Sequence, residues 1–252
     1  MKEKLLKLLF SIKDSLYRIK NRKEVKVFLY TDSRGFDVTG KLGRIPLNSY
    51  ADKLIETFNT SYYLCPEKFT TIVDFLNTIG DTWKNYDIVI MHCGIVDFSP
   101  RPLSNIKKVK DSKIATPNFD ELFKSNAGYH NTILGAQYYG EDTITIYSKE
   151  YLETVIGPKL ASIENLLWID SNYFVKGWEG NYERGRPSNI QEVVSDYELI
   201  LKKFVKNSLS IKDWSVSDVK KFTLDNIHFT KSGFNEIYNR LAAFINKGDY
   251  SK

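Results

Sequence analysis

Short apolar runs alternate with amphipathic segments along the chain after residue 24. The runs EVKVFLY, SYYLC, YDIVIMHCG and NLLWID predict four buried strands, and SVSDVKKF predicts a weaker fifth strand. Apolar residues at helical spacing predict helices at about 47–58, 69–79, 149–161, 190–206 and 230–247. Because strands and helices take turns, we expect an α/β fold in which helices cover both faces of a parallel sheet.

Polar residues follow several of the predicted strands directly. Ser33 stands in TDSRG after the first strand, and GIVDFSPR, which contains Asp97, follows the third. Asp225 and His228 stand in LDNIHFT, between the fifth predicted strand and the last helix. Ligands of open parallel sheets bind beyond the carboxyl ends of the strands. We therefore expect these side chains to meet at one edge of the sheet.

Two long segments with weak periodicity leave the same edge of the sheet, at about 100–147 and 171–189. Long loops in compact domains are commonly lids or binding loops, so we expect both segments to wall the site. Arg101 stands near the start of the first segment, and the second carries Trp178, Tyr182, Arg184 and Arg186. Aromatic faces stack on sugar rings, and arginines bind carboxylates or phosphates. Of these residues, we select Arg101, Trp178 and Arg184 as candidates for substrate binding.

The formal net charge of +5 belongs to the N-terminal segment. Residues 1–24 contain eight Lys or Arg and three Asp or Glu, so their charge equals that of the whole chain, and residues 25–252 are formally neutral. A neutral body lacks the basic surface that binds nucleic acid. We expect no nucleic-acid partner.

Residues 1–24 also predict a basic amphipathic helix. Lys7 and Lys13 interrupt the apolar run that a signal peptide needs, so we expect a cytoplasmic protein. The helix has several open roles: contact with an anionic membrane face, contact with a partner, or packing on the protein's own core or on a second copy. The apolar positions recur at helical spacing with lysines mostly between them: Leu5, Leu8, Leu9, Ile12, Leu16 and Ile19.

Composition is that of a globular protein without a metal site. The chain of 252 residues is 42% hydrophobic and 27% charged, and no linker divides residues 25–252, which we expect to form a single domain. Cys65 and Cys93 each lie near the end of an apolar run, a position typical of buried free thiols. We expect neither a metal nor another cofactor, because no cysteine or histidine has metal-ligand spacing. The histidines are scattered: His92, His130 and His228.

Ser33, Asp225 and His228 suit nucleophilic catalysis if the fold brings them together. A serine hydroxyl is a poor nucleophile at neutral pH unless a base takes its proton. The spacing of Asp225 and His228 lets the carboxylate accept a hydrogen bond from one ring nitrogen, which leaves the other nitrogen for Ser33. Taken singly, each residue has an ordinary structural explanation, as a turn serine, a turn-capping aspartate, and a surface or core histidine.

In these motifs the chain resembles the SGNH, or GDSL-like, hydrolases over about residues 25–247. The family has its nucleophile in a G-D-S motif after the first strand and a D-x-x-H motif near the C-terminus, where this chain has TDSRG and DNIHFTKSG. The resemblance implies a three-layer, flavodoxin-like α/β/α fold with a mostly parallel five-stranded sheet. It also implies an ester hydrolase in which Ser33 is the nucleophile, His228 the general base and acid, and Asp225 its orienting partner.

The third family block departs from this pattern. The family usually has G-x-N-D after the third strand, with the asparagine amide donating to the oxyanion, but Val96 stands at that position in GIVD. No glycine in CPEKFTT, after the second strand, offers another donor. Losing one oxyanion donor costs ~10²–10³ in rate. Gly94, Asp97 and Arg101 are the remaining candidates for the oxyanion and substrate site, and Arg101 would bring a positive charge.

Several functions stay open. The same triad serves an esterase acting on an acetylated carbohydrate and an O-acetyltransferase that passes the acyl group to a sugar hydroxyl. GIVDFSPR resembles the third block of SGNH-like proteins linked to bacterial surface polysaccharide synthesis. Val96 favours a different class, a non-catalytic carbohydrate-binding or assembly protein with a degraded oxyanion hole. A nucleotide-dependent enzyme is not favoured, because neither G-x-G-x-x-G nor a Gly-Lys-Ser/Thr loop follows the first strand.

Overall fold

The described part of the chain contains two β-sheets. The computed structural model describes residues 2–40, 43–124 and 133–248, with side chains from residue 8 onward except at residue 124. The strands of these residues are β1 Lys26–Thr31, β2 Asn59–Leu64, β3 Ile88–His92, β4 Arg101–Pro102, β5 Gln137–Tyr138, β6 Glu141–Ile144, β7 Leu166–Ile169 and β8 Asn207–Leu209. Five of them form a parallel sheet in the order β2-β1-β3-β7-β8, and β4, β6 and β5 form a small antiparallel sheet.

Helices cover both faces of the parallel sheet. In β1, Phe28 and Tyr30 join one buried apolar cluster, and Val27 and Leu29 join the other, because successive strand side chains point to opposite faces. The predicted three-layer α/β/α fold is confirmed. The helices are α1 Lys2–Lys20, α2 Tyr50–Thr57, α3 Ile72–Ile79, α4 Ile95–Phe98, α5 Leu103–Lys113, α6 Lys149–Tyr151, α7 Gly157–Ala161, α8 Ile190–Leu201, α9 Val216–Phe222 and α10 Lys231–Lys247.

The predicted fifth strand is wrong. SVSDVKKF forms α9, which begins with a capping box: the Ser215 hydroxyl accepts from the Asp218 backbone N–H, and the Asp218 carboxylate accepts from the Ser215 backbone N–H. The fifth strand is β8, which pairs with β7. Three residues are too few for a two-residue alternation to stand out in the sequence.

The segment at 100–147 contains more regular structure than its weak periodicity predicts. It holds α5 and the whole antiparallel sheet, and α5 buries Ile106, Val109 and Lys113. Residues 125–132, including His130, lie outside the described residues.

The cysteines and the described helices bear on two further points. Cys65 and Cys93 are buried free thiols, as predicted. Among the described helices, none combines the length and the apolar character needed to cross a membrane.

Candidate active site

Ser33 lies in a short 3-10 turn, Ser33–Gly35, immediately after β1. The Asp32 carboxylate begins this turn by accepting a hydrogen bond from the Arg34 backbone N–H at 3.0 Å. The buried Arg34 guanidinium forms an ion pair with Asp32 at 2.9 Å and donates to the Ser171 hydroxyl at 3.0 Å. Gly35 packs so closely on the Thr31 side chain that a Cβ atom would overlap it. These contacts fix the half-buried Ser33 at the carboxyl edge of the sheet.

Asp225 and His228 belong to a second tight turn, between α9 and α10. The Asp225 Oδ1 atom accepts hydrogen bonds from the backbone N–H groups of Ile227 at 3.1 Å and His228 at 2.8 Å. Asn226, which follows Asp225, lies in the left-handed region at a φ of 68°, which asparagine tolerates better than most residues. The two intervening residues therefore let one carboxylate bind both the turn backbone and the histidine ring.

The fold brings Ser33, His228 and Asp225 into one hydrogen-bonded chain. Ser33 Oγ lies 3.0 Å from His228 Nε2, and His228 Nδ1 lies 2.9 Å from Asp225 Oδ2. Burial raises the pKa of Asp225, but the hydrogen bonds and charge of His228, together with the charge of Arg186, outweigh it and lower that pKa to about 2. The ionised carboxylate favours the ring tautomer with a proton on Nδ1, so Nε2 is free to accept the Ser33 proton.

Arg186 contacts the site from the predicted site loop 171–189. Its Nη2 atom donates to Asp225 Oδ2 at 3.0 Å, and its guanidinium lies 4.0 Å from the centre of the Tyr182 ring. The sequence prediction favoured Arg184 in the same segment. Both arginines stand in one polar loop, and no local pattern distinguishes the one that turns inward.

Ser33 and His228 line a pocket of about 200 Å³. Both long segments contribute to its walls, and the Tyr138 hydroxyl of the first donates to the Gly185 carbonyl of the second at 2.8 Å. One part of the lining is apolar: Ile95, Val96, Ile190 and Ile227. Charged or aromatic side chains form another part: Arg101, Tyr138, Tyr182 and Arg186.

Of the five predicted oxyanion or substrate residues, Arg101 lines this pocket. Its Nε atom donates to the Val96 carbonyl at 3.0 Å, and its Nη1 atom to Asn105 Oδ1 at 3.3 Å. Burial lowers the pKa of Arg101 to about 10, which leaves it charged at neutral pH. Val96 also lines the pocket, but its side chain has no polar atom to offer an oxyanion.

Gly94 and Asp97 are absent from the described lining of the pocket. Gly94 turns the chain from β3 into α4 at a φ of 123°, with the Phe98 ring against it. Asp97 is fully buried, where its Oδ1 atom accepts from the Ile72 backbone N–H at 3.0 Å and the Tyr147 hydroxyl at 2.8 Å. Asp97 therefore joins α3 to the core and makes no described contact with the pocket.

Trp178 and Arg184 are also absent from the described lining of the pocket. The half-buried Trp178 packs on the core, and its backbone carbonyl accepts from the side-chain amide of Asn226. Arg184 is exposed, and its carbonyl accepts from the Tyr139 hydroxyl at 2.9 Å. Both residues support the loops around the site through their backbone.

Comparisons with known proteins support the fold. No protein-family model matches the chain, and no curated protein matches it significantly. The chain is similar to the crystal structure of a lipase/acylhydrolase from Enterococcus faecalis, with a TM-score of 0.50 and 11% identity over 90% of this chain and 98% of that one. A protein from Lactobacillus plantarum is similar with a TM-score of 0.51 and 14% identity over 89% and 97%. The chain shares the acylhydrolase fold. At these identities the likeness extends to the fold alone.

The arrangement is chemically competent for acyl transfer. A hydroxyl, an imidazole and an ionised carboxylate stand in the order that activates a serine, at the edge of the sheet where such folds bind ligands. The lining of the pocket beside them has an apolar part and a cationic part.

Proposed function

We propose that the protein is a serine-dependent acyl-ester hydrolase with Ser33 as nucleophile. The observation that carries this proposal is the chain of contacts from Ser33 Oγ through the His228 ring to Asp225, at 3.0 and 2.9 Å. Two motifs on different turns meet there with hydrogen-bonding geometry on both sides of one imidazole. Ser33 and His228 also line one pocket, which a purely structural histidine would not require.

The proposed reaction has two halves. In the first, Nε2 of His228 takes the Ser33 proton while Oγ attacks the ester carbonyl, and the tetrahedral intermediate collapses as the imidazolium protonates the leaving alcohol. In the second, His228 takes a proton from water, the hydroxide oxygen attacks the acyl-enzyme, and the imidazolium returns the proton to Ser33 Oγ. Asp225 keeps its negative charge throughout and stabilises the imidazolium.

The oxyanion site is the weak part of this machinery. The resemblance assigns one donor to the backbone N–H of Ser33, and Val96 replaces the side-chain amide that the family uses. Since one missing donor costs ~10²–10³ in rate, we expect turnover well below that of a complete site.

We propose an acetylated carbohydrate as the substrate. A pocket of about 200 Å³ with apolar lining suits a short acyl group, and the half-buried rings of Tyr138 and Tyr182 offer faces on which a sugar ring can stack. A role in bacterial surface polysaccharide synthesis rests on the resemblance of GIVDFSPR. Transfer of the acetyl group to a sugar hydroxyl instead of water uses the same residues.

A second candidate function, carbohydrate binding without catalysis, is favoured by Val96. A protein that only binds carbohydrate has no need of an oxyanion donor, so an apolar side chain is acceptable at this position. The intact hydrogen-bonded chain at Ser33 opposes this candidate.

The test is covalent labelling with a fluorophosphonate and turnover of p-nitrophenyl acetate. Ser33→Ala should abolish labelling and reduce turnover by ~10³ or more. Ser99→Ala is the matched control, because Ser99 also lines the pocket but donates its hydroxyl to the Ile95 carbonyl. Labelling that survives in Ser33→Ala would eliminate Ser33 as nucleophile. A wild-type protein that binds acetylated oligosaccharides without labelling or turnover would be the non-catalytic binder, and acetyl groups recovered on an added sugar would identify a transferase.

A further inference from the structure

The pocket beside Ser33 carries positive charge. Two guanidinium groups, of Arg101 and Arg186, line it, and its described lining includes neither an aspartate nor a glutamate. A partly enclosed site with one sign of charge attracts ligands of the opposite sign. A neutral acetyl ester does not by itself account for this lining.

The two arginines differ in their partners. Arg186 forms an ion pair with Asp225 at 3.0 Å. The hydrogen bonds of Arg101 go to two neutral oxygens, those of the Val96 carbonyl and the Asn105 amide. Within the described part of the chain, no carboxylate lies at ion-pair distance from Arg101. Arg101 is therefore the cation of the pocket that has charge to offer a ligand.

The position of Arg101 makes an unpaired charge costly. The side chain is half-buried, and its guanidinium lies 5.8 Å from the centre of the Phe69 ring. Burial lowers the pKa of Arg101, and the charge of Asp97, whose carboxylate is held by other groups, offsets this only in part. A charge removed from water needs an opposite charge or a full set of hydrogen bonds. An anion in the pocket would supply that partner.

We infer that Arg101 binds an anionic group on the alcohol part of the ester, so that the substrate is an acylated acidic sugar bearing a carboxylate or a phosphate. This inference rests on the proposed function. Guanidinium groups bind both anions through directed, charge-assisted hydrogen bonds. The apolar residues Ile95 and Val96 suit the acyl part of the same substrate.

Matched esters test the inference. Acetylated glucuronic acid, its methyl ester and acetylated glucose 6-phosphate separate the carboxylate, neutral and phosphate cases. The better charged ester should have a kcat/KM about 10- to 100-fold above the neutral one, mainly through a lower KM. Arg101→Gln should lower kcat/KM for the better charged ester about 10- to 100-fold more than kcat/KM for the neutral ester, and so remove the preference. Arg184→Gln is the matched control, because it removes the same charge from an exposed arginine outside the described lining.

Two outcomes overturn the inference. A wild-type enzyme that prefers neither charged ester would do so, as would an equal loss of kcat for all three esters in Arg101→Gln, which would make Arg101 an oxyanion donor. Failure of the inference and failure of the proposed function can be told apart by calorimetry, which measures the binding of glucuronic acid and of methyl glucuronate to Ser33→Ala. If the wild type hydrolyses no ester but Ser33→Ala binds glucuronic acid in an Arg101-dependent manner, anion binding by Arg101 is supported and the esterase is refuted.

A second surface, on α1, gives an independent inference. The packed side of α1 holds the buried Phe10 and Lys13, whose Nζ atom lies 2.8 Å from Asp52 and 2.7 Å from Glu56 on α2. The opposite side is apolar. We call it the α1 stripe, and its members are between 50% and 67% exposed: Leu8, Leu9, Ile12, Leu16 and Ile19.

Basic residues accompany the α1 stripe. Lys20, Arg22 and Lys23 are exposed at its C-terminal end, and residues 1–24 carry a formal charge equal to the whole +5 of the chain. Two copies meeting through this segment would bring like charges together, whereas anionic lipid headgroups complement them. We propose that the α1 stripe lies on an anionic lipid surface, with its apolar side chains between the headgroups and the acyl chains.

Vesicle flotation tests the lipid surface. The full chain should float with vesicles of phosphatidylcholine and phosphatidylglycerol at 7:3 in low salt, and should not float with phosphatidylcholine alone or in 0.5 M NaCl. The double variant Ile12→Glu/Leu16→Glu should lose flotation. Leu199→Glu is the matched control, because Leu199 is an exposed leucine on another helix, α8. Circular dichroism checks that the variants are folded.

The competing occupants give different results. A wild-type chain that does not float with the anionic vesicles overturns the proposal, as does a double variant that floats equally well. A dimer in sedimentation analysis that becomes a monomer in the double variant, with no flotation, would make the α1 stripe an interface between two copies.

Discussion

Arg186 forms an ion pair with Asp225, with Nη2 3.0 Å from Oδ2. The same oxygen accepts the hydrogen bond from His228 Nδ1, and Oδ1 accepts from the backbone N–H groups of Ile227 and His228. Four donors thus point at one carboxylate. A loop remote in sequence therefore supports the Asp225 carboxylate, and the shape of the turn and the orientation of the His228 ring depend on the same two oxygens.

The first prediction concerns Asp225→Asn. An amide has one acceptor oxygen, so its NH₂ group would face two of the donors that now bind the carboxylate. We expect kcat for p-nitrophenyl acetate to fall by ~10³–10⁴, together with a lower melting temperature. Asp213→Asn, at an exposed carboxylate paired with Arg240, is the control and should change neither. Wild-type turnover in Asp225→Asn would contradict the assigned role.

The second prediction concerns the oxyanion site. Val96→Asn would restore a side-chain amide at the position where the SGNH pattern has one. We expect kcat for p-nitrophenyl acetate to rise by about tenfold or more, because a donor aimed at the developing oxyanion stabilises the transition state. Val96→Leu, which adds no donor, should show no rise. An unchanged rate in the asparagine variant would mean that the oxyanion does not form beside residue 96.

The third prediction concerns a buried ion pair in the core. Lys113 Nζ contacts the Asp74 carboxylate, and both side chains are almost completely buried. Lys113→Met would remove the cationic partner of the buried Asp74, and should lower the free energy of unfolding by about 3–5 kcal/mol in urea denaturation. Lys149→Met, which breaks an exposed pair with Asp196, should cost at most about 1 kcal/mol. Equal losses in the two variants would be inconsistent with a burial effect.

The fourth prediction is a pH dependence of stability that originates at Asp97. Burial raises its pKa from 3.8 to about 7, against the opposing hydrogen bonds from Ile72 and Tyr147. Between these two values the unfolded chain releases the proton while the folded protein keeps it. The unfolded state then binds fewer protons, so the free energy of unfolding falls as the pH rises through this window.

Asp97→Asn isolates this contribution because asparagine does not titrate. From pH 4 to pH 8, the free energy of unfolding of the wild type should fall relative to that of the variant. The fall should be up to about 4 kcal/mol for the full pKa shift. Urea denaturation at a series of pH values measures it. A difference that stays constant over this range would mean that Asp97 is ionised in the folded protein.

Much of the fold was predictable because burial leaves a local trace. A strand buried on both faces reads as an unbroken apolar run, as at Ile88–His92, and helices show their spacing. β8 was missed because three residues carry too little pattern. α9 was misread as a strand although Ser215 and Asp218, three residues apart, are the start signal of a helix.

The position of Ser33 at the edge of the sheet was predictable for a different reason. Parallel strands bring their carboxyl ends to one edge, which places Ser33 there. The Asp225–His228 turn follows α9 and not a strand, so the strand argument for its position was wrong, and the resemblance of DNIH to the D-x-x-H motif was what pointed to this edge. The loop residues were not predictable in this way. Arg184 and Arg186 stand two positions apart in one polar segment. Only the packing of that segment on the Asp225–His228 turn decides which of the two side chains lines the pocket.

The sequence by itself determined the layers, the central strands and the edge of the sheet where chemistry is possible, because periodicity and strand direction are local properties. Tertiary structure alone decided that Arg186 meets Asp225, that Asp97 lies in the core, and that the apolar side of α1 faces outward. Each of these depends on contacts between segments far apart in the chain. The free-energy cost of burying a charge or exposing an apolar side chain depends on these distant neighbours, which the local sequence pattern does not identify.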